Sequence, residues 1–178
     1  MTIKESEFAI EHQILVLDAY LHSSLDCSQQ KKITRKFIND AMATLGLEPL
    51  GSLGIFPAVD ERAPGWSFVQ PITTSHISGH YFEKPGKAPH TRIDAYSCDR
   101  IDWRAFIQVC SQHFYLSDWR ATFIERDIDS QQPRPITTLA GCGNRISYSQ
   151  KLDSTGAPFR VAVSNNTVQG EAHVGTSL

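Results

Sequence analysis

Apolar and polar positions run through this chain in two rhythms, one of a strand and one of a helix. Residues 13–21 hold the nearly continuous run Ile14-Leu15-Val16-Leu17, followed by Asp18, Ala19 and Tyr20. Such a run predicts a central strand, covered on one face and partly on the other. Asp26 or Ser28 can cap a helix that continues to about Leu45, because Ile33, Phe37, Ala41, Met42 and Leu45 recur at helical spacing. Gly46 stands where a left-handed terminator belongs. Residues 47–59 are apolar but broken by Pro49, Gly51, Gly54 and Pro57, which predicts a bulged or an edge strand. Residues 60–65 are a loop. Residues 66–72 and 75–82 read as strand segments around a polar knot, Thr73-Thr74-Ser75-His76, and 83–89 as a loop with two prolines. Residues 91–98 predict another strand. Asp102 caps a second helix with Trp103, Phe106, Ile107, Cys110 and Phe114 on one face, and 119–128 is a last clear strand.

The resulting order, β-α-β-β-β-α-β, predicts an α+β fold: a two-layer α/β sandwich with a mostly antiparallel sheet and its helices on one face. Residues 1–128 form that domain, and 129–178 a C-terminal extension. Within the extension, 131–135 looks like a linker. Residues 145–152 and 159–164 are candidates for a hairpin across Asp153-Ser154-Thr155-Gly156, and the last dozen residues read as a frayed tail.

Composition narrows the field. The chain has 178 residues, 40% hydrophobic and 20% charged, with a formal net charge of −2. That is enough apolar material for a core and no basic footprint for a nucleic acid. The densest basic cluster, Lys31-Lys32 with Arg35-Lys36, reads as a solvated helix face. No apolar run reaches the length of a membrane span, and the polar start lacks the order of a signal peptide, so a cytoplasmic location is expected. Cys27, Cys98, Cys110 and Cys142 lack Cys-x-x-Cys spacing and read as thiols, Cys110 in the core.

Four features lie close enough in this scheme to share a site: Ser67, the Thr74-Ser75-His76 knot, His80, and Ile93-Asp94-Ala95-Tyr96-Ser97-Cys98. Singly, each has a bland reading as a strand hydroxyl, a hydrogen-bonded histidine or a small core thiol. Their joint order resembles the prokaryotic S-adenosylmethionine decarboxylase family over roughly residues 12–128. The pattern is Ile-Thr-Thr-Ser-His-x-x-x-His, then a short loop, then Ile-Asp-x-x-Ser-Cys, then a Trp-containing amphipathic helix, with Ser67 eight residues before Ser75. The chain departs from the family at Thr74, where glutamate is usual, and at Tyr81-Phe82-Glu83-Lys84 in place of Thr-Trp-Pro-Glu. It also has Asp99, where glycine follows the cysteine.

The resemblance implies a self-processing enzyme with a covalent pyruvoyl group made from Ser75 after cleavage at Thr74–Ser75, acting on a small-molecule substrate for polyamine synthesis. A serine hydroxyl attacks the preceding carbonyl, a donor steadies the oxyanion, and a base removes the serine α-proton. The resemblance assigns Ser67 as the donor, His80 as the processing base and Cys98 as the acid that returns a proton to substrate. The finished carbonyl would take the substrate amine as a Schiff base and act as electron sink. Glu83 stands in for a ribose-binding carboxylate, with Asp18 as a second candidate on that rim, and Phe56 and Trp66 are candidates to pack against a sulfonium and adenine. A homodimer is also implied.

Alternatives stay open at this level: a decarboxylase of ornithine or arginine, or an unprocessed homologue that binds a partner or small molecule. A metal site at His76, His80, His90 and Cys98 competes less well, because His-x-x-x-His on a strand separates the rings by on the order of 13 Å, too far for one zinc ion. One geometric demand follows. On a straight strand, Ser75 and His80 face opposite sides, so convergence of Ser67, Ser75, His80 and Cys98 on one pocket edge predicts a departure from regular strand near Ser75 or Ser78-Gly79.

Overall fold

The computed structural model describes residues 12–83, 87–126 and 135–152. Eight strands form one antiparallel sheet: β1 (His12–Leu21), β2 (Gly54–Ala58), β3 (Gly65–Ile72), β4 (Ser75–Phe82), β5 (His90–Ser97), β6 (Leu116–Arg126), β7 (Ile136–Cys142) and β8 (Arg145–Leu152). Their order across the sheet is β2-β3-β4-β5-β1-β6-β7-β8. The helices α1 (Gln30–Leu45) and α2 (Trp103–Phe114) cover one face. No helix among the described residues is long and apolar enough to cross a membrane.

The local signals explain where the elements begin and stop. Asp26 accepts from the Ser28 N–H and caps a short 3-10 turn, Cys27–Gln29, that leads into α1. Gly46 ends α1 at φ 65°, a left-handed conformation that is cheap without a Cβ. Asp102 caps α2 by accepting from the Arg104 and Ala105 N–H groups. The proline-broken segment becomes β2, an edge strand, where missing N–H donors do least harm.

The core sits between the helices and alternate strand residues: Leu15, Leu17, Phe68, Ile77, Ile93, Ala121 and Phe123 from the sheet, and Phe37, Ile38, Phe106 and Phe114 from the helices. Phe37 is the hub, with ring centroids 4.9 Å from Phe114, 5.8 Å from Phe68 and 6.1 Å from Phe106. Gly79 belongs to this packing and not to a bulge. A Cβ there would lie 2.6 Å from the Phe68 ring and 2.8 Å from the Arg92 carbonyl oxygen. Strand β4 pairs in unbroken register with β3 and with β5 from Ser75 to Phe82. The bulge expected at Ser78-Gly79 is therefore absent.

The sheet also continues past the last strand expected from sequence. Residues 145–152 are a strand, but their partner is Ile136–Cys142, across a turn at Gly143, and β7 itself pairs with β6. The expected partner at 159–164 and the frayed tail lie outside the described residues, as does most of the linker at 131–135.

Candidate functional site

Directly opposed residues of an antiparallel sheet project from the same face. The register therefore sets up a row across the face that no described element covers: Phe56, Ser67, His80, Arg92, Asp18 and Arg120. Ser67 Oγ and His80 Nδ1 lie 2.6 Å apart. Arg92 pairs with Asp18 at 3.2 Å, both side chains more than half exposed. Phe56 is 58% exposed opposite Ser67. A groove of about 720 Å³ opens at the Asp18 end, lined by Tyr20, His90, Arg92, Asp118 and Arg120 among others; Ser75 is not part of it. Ring contacts His80–Phe82, Phe82–His90 and His90–Tyr20, at 5.5, 5.3 and 6.4 Å, run from the Ser67–His80 pair to that groove.

Ser75 opens β4 at the other end of the strand. Its φ of 149° is a region that residues with a Cβ rarely occupy, at a cost of about 1–3 kcal/mol. The carbonyl oxygen just before it, on Thr74, accepts from the Cys98 N–H at 2.8 Å. Ser75 Oγ lies 3.2 Å from Nδ1 of His76. The His76 ring stands edge-on to Tyr96 at 5.9 Å, and the Tyr96 hydroxyl meets His12 Nδ1 at 2.7 Å. Thr74 Oγ1 is buried with no hydrogen-bond partner.

The four residues expected to converge thus form two pairs within one chain. Ser67 meets His80, and the Cys98 backbone N–H meets the carbonyl of Thr74, the residue before Ser75. In a regular strand, the five steps from Ser75 to His80 cover about 16 Å. Asp18 and Phe56 share the Ser67–His80 row. Two substrate-side candidates do not. Trp66 is fully buried under the helices, where its Nε1–H donates to Thr34 Oγ1 at 2.9 Å. Neighbours on a strand face opposite sides, so placing Ser67 on the open face puts Trp66 in the core. Glu83 lies on the helix side as well: the Cys27 thiol donates to its carboxylate at 3.8 Å, and it interacts with the Tyr81 hydroxyl.

Burial pushes the Tyr81 phenol up to about 12, and pushes the Cys27 thiol up, with Glu83 adding to the latter. On the open face, burial and the nearby charge of Asp18 raise the Asp94 carboxyl, against the opposing pull of His76 and His80. His76 and His80 share a face four residues apart on a regular strand, and no group of three metal-ligating side chains forms among the described residues.

Sequence reasoning placed His76 and Tyr96 within the motif but gave neither a role in the chemistry, and passed over Arg92 and Arg120. Strand alternation from His80 marks His76, and alternation from Asp94 marks Tyr96. Only the pairing of β4 with β5 makes them neighbours.

No curated protein matches the chain. The profile of the S-adenosylmethionine decarboxylase family matches residues 13–127, which hold β1 from its second residue through β6 and both helices, and leave out β7 and β8. The chain belongs to the S-adenosylmethionine decarboxylase family.

Proposed function

We propose that the chain cleaves itself between Thr74 and Ser75 and, with the pyruvoyl group so made from Ser75, decarboxylates S-adenosylmethionine for polyamine synthesis. One observation carries this reading. The carbonyl that Ser75 would attack is held by the Cys98 N–H at 2.8 Å, next to a serine at φ 149°. A backbone donor fixed on that oxygen favours the oxyanion as it forms, and relief of strain at Ser75 favours the bond change. The surroundings fit the group: an open strand end, a thiol-bearing residue hydrogen-bonded to the junction, and a buried Thr74 hydroxyl without a partner.

The pyruvoyl carbonyl supplies an acceptor for the substrate amine and for the electrons released with carbon dioxide. The chain's own residues do the rest. Cys98 is proposed to hold the proton returned to substrate. The Ser67–His80 pair is proposed to take the Ser75 α-proton, so that the Thr74 carboxylate leaves from Cβ. Water then converts the resulting dehydroalanine to the pyruvoyl group and ammonia.

Since about 16 Å of regular strand separates Ser75 from His80 in one chain, this reading requires a homodimer. Two copies meet so that the Ser67–His80 pair on the open face of one reaches the strand end that carries Ser75 in the other. Phe56 and Asp18 share the row with Ser67 and His80 and arrive with them on the substrate side. Catalysis is assigned to residues 1–128, with 129–178 as an extension.

Mass spectrometry of the denatured protein tests the cleavage. Fragments of 74 and 104 residues (178 − 74) are expected, the second blocked by pyruvoyl, and Ser75→Ala should abolish both. A chain that stays intact through long incubation supports the unprocessed homologue instead. Mixing Ser75→Ala with His80→Ala chains tests the exchange between copies: the His80→Ala chain should regain cleavage. Substrate assays against ornithine and arginine divide the decarboxylase readings.

A further inference from the structure

The separation of Ser75 from His80 leaves one proton without an owner. Before any α-proton is lost, the Ser75 hydroxyl must give up its own proton as it attacks, and a neutral serine is a weak nucleophile without a base in hydrogen-bond reach. The ring that meets Ser75 Oγ is that of His76, at 3.2 Å, in a half-buried setting. Its position is set by the register. His76 lies opposite Tyr96 on β5, whose ring it meets edge-on and whose hydroxyl is tied to His12 on β1. Arg126 lies over the same tyrosine ring at 5.5 Å. The ring is thus packed against a tethered tyrosine, while the Cys98 N–H holds the carbonyl to be attacked.

We infer that His76 is the base for the first step of processing and that His80 has no part in that step. The inference rests on the self-processing reading above. Ser75 Oγ bonds to the Thr74 carbonyl carbon as its proton passes to Nδ1 of His76. The bond from that carbon to the Ser75 nitrogen then breaks, and His76 returns the proton to the nitrogen. The product is an ester with a free amine, an isomer of the starting chain, and no other reactant is consumed. A separation of 3.2 Å is long for a transferring bond and would shorten in the attacking geometry. Two histidines on one strand face therefore divide two protons: His76 takes the one on Oγ, within its own chain, and His80 takes the one on Cα, in trans.

The two steps are separated by hydroxylamine, which cleaves esters and leaves amides. His80→Ala should stall at the ester, so hydroxylamine should cut it at residue 74 and leave an intact serine at the new end. His76→Ala should stall before the ester, with cleavage slowed about 100-fold or more and no hydroxylamine-dependent cut. Free imidazole should restore its cleavage, as a lost packing contact would not allow. His76→Gln keeps a hydrogen-bonding group of similar size without a nitrogen basic enough to take the proton; it should be as slow as His76→Ala, and stands in for it if that variant does not fold. Parental cleavage rates in both His76 variants, or an ester trapped in them as readily as in His80→Ala, would overturn the assignment while leaving self-processing intact. A parent chain that never cleaves overturns both.

Discussion

The two faces of the sheet are made by the same strands, alternate residue by alternate residue. On the helix side of β1 lie Leu15, Leu17, Ala19 and Leu21, all buried; on the other side lie His12, Ile14, Val16, Asp18 and Tyr20, none of them buried. The covered face holds its few polar groups in pairs, as Trp66 Nε1–H holds Thr34 Oγ1. The open face gathers His12, His76, His80 and His90 with Asp18, Asp94, Arg92 and Arg120. Stability and chemistry are thereby assigned to opposite sides of one backbone. A change on one side should leave the other's property largely untouched.

The largest expected effect tests that separation through function. His80→Ala should slow completion of processing by about 10²–10⁴-fold, the range for losing a general base. Exposed on the open face of the single chain, it should move that chain's own folding stability by less than about 0.5 kcal/mol. Gel or mass analysis of cleavage, set beside thermal melts, checks both halves. A large fall in melting temperature would show the faces to be coupled.

Phe37→Ala is the mirror experiment. It removes the ring that joins both helices to the sheet and should cost about 3–5 kcal/mol in chemical denaturation, with processing unaffected in whatever fraction remains folded. Thr34→Val is smaller and sharper. It keeps the volume but leaves the buried Trp66 N–H without an acceptor, at about 1–3 kcal/mol. A null result would mean that Trp66 finds water, and that the covered face is less dry than its packing implies.

Asp94→Asn should produce the smallest effect, and in the opposite direction. The folded state raises this carboxyl above its ordinary value of 3.8, by burial first and then by Asp18. The folded chain therefore binds a proton that the unfolded chain releases. The stability this contributes is fully present below the ordinary value and is lost as pH rises through the raised folded one. At neutral pH the charged carboxylate is a liability, and its removal should raise stability by under about 1 kcal/mol, given solvent screening. The variant's stability should also fall less than the parent's between strongly acid and neutral pH. Denaturant titrations at several pH values measure both; equal slopes would remove Asp94 from the account.

Much of the fold was legible because its signals are local. Helix periodicity marked α1 and α2, Asp102 and Gly46 marked their ends, and the proline-broken stretch became an edge strand. Strand β7 was not recognised: Ile136-Thr-Thr-Leu-Ala-Gly-Cys has weak alternation and stands beside prolines, and it is a strand because β6 and β8 flank it. Trp66 lies in the core, away from the Ser67–His80 row, for a related reason. Beside a loop it looks available to a ligand, and only alternation against Ser67 turns it inward.

The chain order of Ser67, Ser75, His80 and Cys98 carried the family resemblance without any structure, because a motif is a property of sequence. Which of those residues meet was decided elsewhere. The expectation that Ser75 and His80 converge within one chain needed the strand to depart from regularity near Ser75 or at Ser78-Gly79; Ser75 does depart, but the pairing beyond it is regular. Phe68, resting on Gly79 from across the sheet, instead keeps that segment in register. Sequence by itself determined the elements, their caps and the candidate chemistry, since helix and strand periods and end signals act over a few residues. Tertiary structure alone decided that Ser67 pairs with His80, that the Cys98 N–H reaches the Thr74 carbonyl and that His76 reaches Ser75. Strand register comes from packing between residues far apart in the chain, and a shift of one residue turns every side chain to the other face.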